Sequence, residues 1–130
     1  MIFSLLIYAQ QNGGQVEQSA LRFTRSALAQ GHSIHRVFFY GESVSACSSL
    51  KVTPRDEINI TQQWLELAKS DNLDLVVCIA AAVRRGILDD SEAKRHSKAV
   101  TNLTEGFTLS GLGQLADAIL LSDRTITFGN

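Results

Sequence analysis

The chain has 130 residues, of which 45% are hydrophobic and 19% are charged, with 12 basic and 13 acidic side chains. A chain of this length buries roughly two-thirds of its unfolded surface, so we predict a single domain over residues 1–130. The formal net charge of −1 excludes the strong positive field that direct binding of nucleic acid requires.

The cysteines and the N-terminal segment indicate the compartment. Cys47 and Cys78 are too few for a disulfide framework and fit a reducing cytosol. No basic residue precedes the apolar segment 2–8, which is far shorter than the ~20 residues that span a bilayer. We therefore expect a cytoplasmic protein without a membrane partner, in which this segment is a core strand.

A strand, a helix and a second strand follow one another within the first forty residues. Residues 2–8 and 34–40 are short apolar runs, and residues 16–30 carry apolar side chains at helical spacing. A glycine-containing turn is predicted over residues 10–15, and Gly31 stands where a helix C-terminus favours a left-handed residue. This order indicates a right-handed βαβ unit.

The middle of the chain continues the alternation. Residues 41–54 are small and polar, which predicts an exposed loop, and a helix is expected from about residue 57 to 69. Residues 73–79 form a third apolar strand, with Cys78 near its carboxyl end. Two crossovers of this kind are typical of a sheet with parallel strands.

The last third of the chain is harder to interpret. Asp89 and Glu92 have the spacing of a capping box, which predicts the start of a helix. Ser110 is predicted to be the N-cap of the last helix. Three further elements are predicted, namely a short strand at 99–101, a helix at 110–121 and a strand at 124–128. The alternation of strands and helices predicts an α/β fold, a three-layer α/β/α domain with a mostly parallel sheet.

Cys78 is the strongest candidate for chemistry, because it ends an apolar strand and is followed by Arg84 and Arg85. Sites in open parallel sheets form at the carboxyl ends of strands. Positive charge and free helix N–H groups beside a thiol favour the reactive thiolate, so both arginines are candidates for electrostatic support. The alternative is a buried structural cysteine, since free cysteine is among the most buried residue types.

The C-x5-R spacing from Cys78 to Arg84 is also that of a cysteine phosphatase loop, in which the backbone surrounds a phosphate group and the arginine binds it. The five intervening residues are apolar and include no glycine, so the match is weak. A phosphatase remains an enzymatic alternative.

Other polar residues give no clear site. Cys47 lies in a serine-rich segment and is interpreted as incidental. His32, His35 and His96 lack the spacing of metal ligands or of a catalytic triad, and we interpret them as surface or structural residues. Residues 10–15 lack the glycine spacing of a dinucleotide site. We therefore predict neither a metal nor a cofactor.

Three runs of sequence resemble one known family. They are residues 77–86 (VCIAAAVRRG), residues 102–113 (NLTEGFTLSGLG) and parts of residues 31–40 (GHSIHRVFFY). On these runs the chain is identified as a member of the DsrE-type sulfur-relay family, and it is similar above all to the TusD branch. The resemblance covers nearly the whole chain and is loosest over residues 10–18 and 43–60.

The resemblance implies a five-stranded parallel sheet and a heterohexamer with homologous TusB-like and TusC-like subunits. It also implies a sulfurtransferase in which Cys78 forms a persulfide, without a cofactor. A TusA-like protein would donate the sulfur and a TusE-like protein would accept it, for 2-thiolation of the wobble uridine of tRNA.

Two other functions within the same family stay open. A related branch works in dissimilatory sulfur oxidation. Homologous subunits without the active cysteine serve assembly, so the fold alone does not imply catalysis. The presence of Cys78 at the matching position favours the catalytic alternative.

Overall fold

The computed structural model describes residues 1–9 and 14–130, which form one five-stranded sheet flanked by helices. Residues 10–13 of the predicted turn lie outside this description. The elements are β1 (Ile2–Ile7), α1 (Gln15–Ala29), β2 (Ser33–Phe39), a 3-10 helix (Gly41–Cys47), α2 (Ile60–Asp71), β3 (Leu75–Cys78), α3 (Ile79–Arg84), α4 (Asp90–Arg95), β4 (Phe107–Ser110), α5 (Gly113–Leu121) and β5 (Arg124–Phe128).

All the strand pairings are parallel, in the order β4-β3-β2-β1-β5, so the carboxyl ends of the strands lie along one edge of the sheet. Successive side chains of a strand point to opposite faces. Phe39 of β2 packs against Trp64 of α2, whereas Arg36, on the other face, contacts α5. The predicted three-layer α/β/α fold with a parallel sheet of five strands is confirmed.

Aromatic side chains join the sheet to the helices on the α1 and α2 side. The ring of Phe39 lies 5.7 Å from Trp64 and 5.6 Å from Phe107, both in edge-to-face geometry. Phe3 contacts Phe23 of α1 in the same way at 5.3 Å. Such pairs add roughly 0.5–1.5 kcal/mol each to the area they bury. The apolar spacing that predicts the first two helices thus corresponds to their sheet-facing sides.

The predicted exposed loop at residues 41–54 is wrong in its first half. Residues Gly41–Cys47 form the 3-10 helix, and Val44, Ala46 and Cys47 are buried. The hydroxyl of Ser43 lies 2.6 Å from the carbonyl oxygen of Ile7 and so satisfies a buried acceptor. A segment of small residues can be buried in a core when its hydroxyl group forms a hydrogen bond there, even though its composition is that of a loop.

The prediction for residues 96–113 is also wrong in its details. No strand forms at 99–101, because the side-chain amide of Asn102 joins this part to the segment after α3: Leu88 N–H donates to its Oδ1 at 2.9 Å, and its Nδ2 donates to Gly86 O at 2.9 Å. The fourth strand is β4, whose buried Phe107 pairs with Leu75. Ser110 is the last residue of β4, and α5 begins at Gly113 with Leu112 as its N-cap.

Two helices begin directly after a residue whose polar side chain caps them. The side chain of Asp89 accepts a hydrogen bond from Glu92 N–H at 2.8 Å, which confirms the predicted cap of α4. Helix α2 begins at Ile60 rather than near residue 57, because Asn59 caps it by accepting from Gln62 N–H at 3.0 Å. Side chains of this kind replace the missing partners of the first helical N–H groups.

Arg36 fixes α5 on the sheet. Its guanidinium donates to Asp74 Oδ2 at 2.7 Å, to Asp117 Oδ2 at 3.0 Å and to the Gln114 carbonyl oxygen at 2.9 Å. The Arg36 side chain is only 11% exposed, so these contacts are shielded better than a surface pair. One side chain in β2 thereby joins Asp74, the residue before β3, to two positions of α5.

We expect Arg36→Ala to lower the free energy of unfolding by about 2 kcal/mol, because several charge-assisted hydrogen bonds and the packing of the stem are lost together. Urea unfolding followed by circular dichroism measures this change. Arg55→Ala, at an exposed arginine, is the matched control and should change stability by less than about 0.5 kcal/mol. Equal effects of the two substitutions would contradict this role of Arg36.

Candidate functional site

Cys78 lies where the sequence predicts it. It is the last residue of β3, a strand between β2 and β4, and it is also the N-cap of α3. Its side chain therefore stands at the carboxyl edge of the sheet, beside the first N–H groups of a helix. That location is the one in which parallel sheets hold functional residues.

The thiol of Cys78 is buried, with only 2% of the residue exposed. It belongs to the same apolar cluster as Val77 and Ala82. No residue in the described part of the chain forms a hydrogen bond with its sulfur. Any reaction at this sulfur needs a local opening or a partner that displaces its neighbours.

Arg84 and Arg85 have different surroundings. Arg85 donates through Nε (3.1 Å) and Nη2 (2.6 Å) to Glu42 Oε1, and through Nη1 (3.0 Å) to the carbonyl oxygen of Ala81. The hydrogen bond from Arg85 lowers the pKa of Glu42 below its usual value. Arg84 is exposed and has no ion pair within the described ranges. Arg85 thus connects α3 to the 3-10 helix, and Arg84 is free to meet another molecule.

The 3-10 helix is held against the carboxyl ends of β1 and β2. Gly41 has a φ of +59°, and a Cβ there would lie 2.7 Å from the carbonyl oxygen of Tyr8. Only glycine combines this conformation with so close an approach. Ser43 adds a second contact, since its hydroxyl accepts from Tyr40 N–H at 3.0 Å. Sequence reasoning missed this element, for which the only local signal was the glycine.

Ser110 is a polar neighbour of Cys78 that sequence reasoning placed in a helix. The parallel register of β3 and β4 pairs Cys78 with Ser110. Ser110 is partly buried, and its hydroxyl has no hydrogen-bond partner among residues 1–9 and 14–130. The run at 102–113 contains this serine, but the pairing requires the register of two strands that are far apart in sequence.

Cys47 is a sealed structural thiol rather than part of an exposed loop. It is 0% exposed, and burial, together with the nearby Glu17 carboxyl, raises its pKa well above the usual value. Glu17 is itself 1% exposed, and both its oxygens lack a hydrogen-bond partner in the described chain. Burial raises the pKa of Glu17 to about 7, although Lys51 acts in the opposite direction. The thiolate of Cys47 is therefore disfavoured.

The histidines lie apart from Cys78. His32 Nδ1 is 2.9 Å from the terminal amine of Met1, and His35 Nε2 is 3.7 Å from Asp117. His32 precedes β2 and His35 lies in its first half, so both are nearer to the amino end of the strand than to the carboxyl edge of the sheet. His96 lies against a buried carboxylate in α4. In the described ranges no three metal-ligating side chains come together, and no helix is long and apolar enough to cross a membrane.

Comparison with known proteins gives one consistent family. The model of the DsrE/DsrF-like family matches residues 1–128. The chain is 45% identical to a protein of Allochromatium vinosum, provisionally named sulfurtransferase DsrE, over the whole length of both. It is 44% identical to sulfurtransferase TusD of Erwinia tasmaniensis, over 98% of this chain and 100% of that one. The crystal structure of the E. coli ychN protein has the same fold, with a TM-score of 0.72 at 21% identity over 98% of this chain and 100% of that one.

Glu17 makes the stability of the fold depend on pH. Its pKa is about 7 in the folded chain and near 4.5 otherwise, so between these values the unfolded chain releases a proton that the folded chain keeps. The free energy of unfolding should therefore fall as pH rises from 4.5 to 7, by roughly 3 kcal/mol. Urea unfolding at several pH values measures this slope.

In Glu17→Gln the slope should largely disappear, because the variant has no proton to lose at this position. Glu66→Gln, at an exposed carboxylate of α2, is the control and should keep the slope of the native chain. A native protein that is equally stable at pH 5 and pH 8 would disprove the assignment.

Proposed function

Because the chain belongs to the DsrE/DsrF-like family, we propose that it is a sulfurtransferase of a sulfur relay and that Cys78 carries the sulfur as a persulfide. The observation that carries the proposal is the position of Cys78 at the carboxyl edge of the sheet, directly before a helix. The other thiol, Cys47, is unsuited to the role because complete burial together with the neighbouring Glu17 carboxyl raises its pKa.

The reaction is an exchange of sulfane sulfur. The Cys78 thiolate attacks the outer sulfur of a donor persulfide, R–S–SH, and a new S–S bond forms as the donor's S–S bond breaks. The products are Cys78–S–SH and the donor thiolate, R–S⁻. An acceptor thiolate then removes the outer sulfur in the same way. Atoms and charge balance in each step, and no external oxidant, metal or organic cofactor is needed.

Burial of Cys78 suits a carrier of sulfur. A persulfide is a reactive group, and burial of a residue that is 2% exposed slows its contact with water and with unrelated thiols. Small donors reach Cys78 through local opening of the segment around β3 and α3, and a protein donor or acceptor speeds transfer by displacing that segment. Arg84 is an exposed cation at the opposite end of α3 from Cys78. We propose that it attracts an acidic surface of the partner protein in this step.

Exposed apolar side chains on α5 support assembly with other chains. Leu112 precedes this helix, and Ile119, Leu120 and Leu121 end it, each at least half exposed. Large exposed apolar side chains at both ends of one helix indicate a surface that another chain covers. We propose homologous TusB-like and TusC-like subunits as the chains that cover it, in a heterohexamer.

The relay proposed for the chain begins with a TusA-like donor and continues to a TusE-like acceptor in the cytoplasm. Its product is the 2-thio group of the wobble uridine of tRNA. A role in dissimilatory sulfur oxidation is the second candidate, because the relative provisionally named DsrE is as similar to the chain as the TusD relatives are. The chemistry at Cys78 is the same in both cases.

Two other functions have less support. In a cysteine phosphatase the residues between cysteine and arginine form a loop around the anion, whereas residues Ile79–Arg84 form a short helix. A purely structural subunit has no need of a cysteine at the carboxyl edge of the sheet. We therefore treat the persulfide carrier as the function that the site supports best.

Incubation with glutathione persulfide should add one sulfur atom to the native chain, because Cys78 is the reacting thiol. Intact-mass spectrometry measures the gain. Cys78→Ser should gain nothing, while Cys47→Ser, the matched control, should gain as much as the native chain. Equal loading of Cys78→Ser would overturn the proposal, and vanadate-sensitive hydrolysis of an aryl phosphate would favour the phosphatase instead.

Arg84→Glu should slow sulfur transfer from a persulfidated TusA-like carrier about three- to tenfold at low salt, because the substitution repels an acidic docking surface. Transfer from glutathione persulfide should not fall to the same extent, since no protein surface is involved. Stopped-flow or quenched kinetics with both donors measure the two rates.

Arg55→Glu is the control for net charge, and it should leave both rates unchanged. A loss in Arg84→Glu that is equal for the two donors, or absent for both, would contradict a docking role for Arg84.

A further inference from the structure

Ser110 is a polar neighbour of Cys78 to which the proposed function assigns no role. The two residues are partners in the parallel register of β3 and β4. Adjacent strands lie about 4.8 Å apart, and partnered residues of parallel strands present their side chains on the same face. The Ser110 side chain is only partly exposed, and its hydroxyl has no partner in the described ranges of the chain. A free donor is therefore held beside the reacting residue.

We propose that the Ser110 hydroxyl donates a hydrogen bond to the sulfur that Cys78 holds, and so stabilises the anionic form of the loaded site. The inference rests on the proposed function of Cys78 as a persulfide carrier. It assigns to β4, the edge strand, a direct role in sulfur transfer in addition to its role in the sheet.

Geometry explains why the contact belongs to the loaded state. The unloaded thiol has no hydrogen bond within the described chain. A persulfide extends the side chain by one S–S bond of about 2.05 Å, which lengthens its reach toward a neighbouring strand. The serine hydroxyl needs only a rotation about χ1, among three staggered positions, to point at the added sulfur.

Among the side-chain donors other than Ser110, Arg84 is exposed to solvent, and the others are occupied or distant. Arg85 is bound to Glu42 and to the Ala81 carbonyl oxygen, so its guanidinium is already satisfied. His32 and His35 belong to the opposite edge of the sheet. A buried sulfur anion without a donor is costly, since burial penalises the charged form. Ser110 meets this need without a charge of its own.

The hydroxyl proton stays on Ser110 throughout. During loading, the bond from Cys78 to the incoming sulfur forms while the donor's S–S bond breaks, and the donor leaves as a thiolate. This thiolate then takes the proton of Cys78–S–SH, so the donor departs as R–SH and the outer sulfur remains as the anion Cys78–S–S⁻. During discharge, the acceptor thiolate takes the outer sulfur and Cys78 leaves as a thiolate. The hydrogen bond to the outer sulfur is present in the loaded state and lowers the barrier to forming it.

The test compares loading of Cys78 by glutathione persulfide in four proteins, by quenched-flow mass spectrometry. In Ser110→Ala the initial loading rate should fall about tenfold, because a hydrogen bond to a charged group is lost. In Ser110→Thr, which keeps a hydroxyl on a β-branched residue suited to a strand, the rate should return to within about threefold of the native value. Thr108→Val removes a hydroxyl two residues earlier on the same face of β4, and it should load at the native rate.

Each outcome bears on one of the two proposals. If the native chain gains no sulfur, the persulfide carrier itself is disproved. If the native chain loads and Ser110→Ala loads equally fast, the role of Ser110 is disproved while the carrier stands. If Ser110→Ala is slow but Ser110→Thr is equally slow, or if the melting temperature of Ser110→Ala falls as its rate does, Ser110 acts through packing and the inference is wrong.

Discussion

Parallel pairing of the strands is the constraint on which the candidate site depends. Because every strand runs in the same direction, each one ends at the same edge of the sheet, and each must be followed by a connection that starts there. Cys78, the 3-10 helix and Ser110 all follow from this geometry, although they are distant in sequence. A sheet with one reversed strand at β4 would remove Ser110 from the edge and leave the cysteine without a polar neighbour.

Local chemistry explains how much of the fold was predictable from sequence. Strands that are buried on both faces give continuous apolar runs, so the predicted ends of β1, β2 and β3 all lie within two residues of the observed ends. Gly31, with a φ of +86°, lies just past the end of α1, and Asp89 caps α4. In each case the type of a single residue indicates the helix end, and no distant contact is needed to predict it.

The errors arose where distant contacts outweigh local composition. Residues 41–47 have the composition of a loop, but contacts with the ends of β1 and β2 bury them as a 3-10 helix. Ser110 is of a residue type that commonly caps helices, but the register that pairs Phe107 with Leu75 makes it the end of a strand. The ion pair between Arg85 and Glu42 joins residues 43 positions apart, and the sequence around neither residue indicates its partner. Cys78 itself was placed correctly, while its burial and its serine neighbour needed the tertiary structure.

The closed position of Cys78 also has a consequence for the cell. Sulfane sulfur on an open protein surface would be lost as hydrogen sulfide to any small thiol, or oxidised by peroxide. In the proposed carrier, a sulfur atom held on Cys78 beneath the rim of the sheet leaves slowly through local opening and rapidly when a matching protein uncovers it. Such a carrier limits leakage of a toxic gas, and the choice of recipient is made by protein recognition rather than by the intrinsic reactivity of the sulfur.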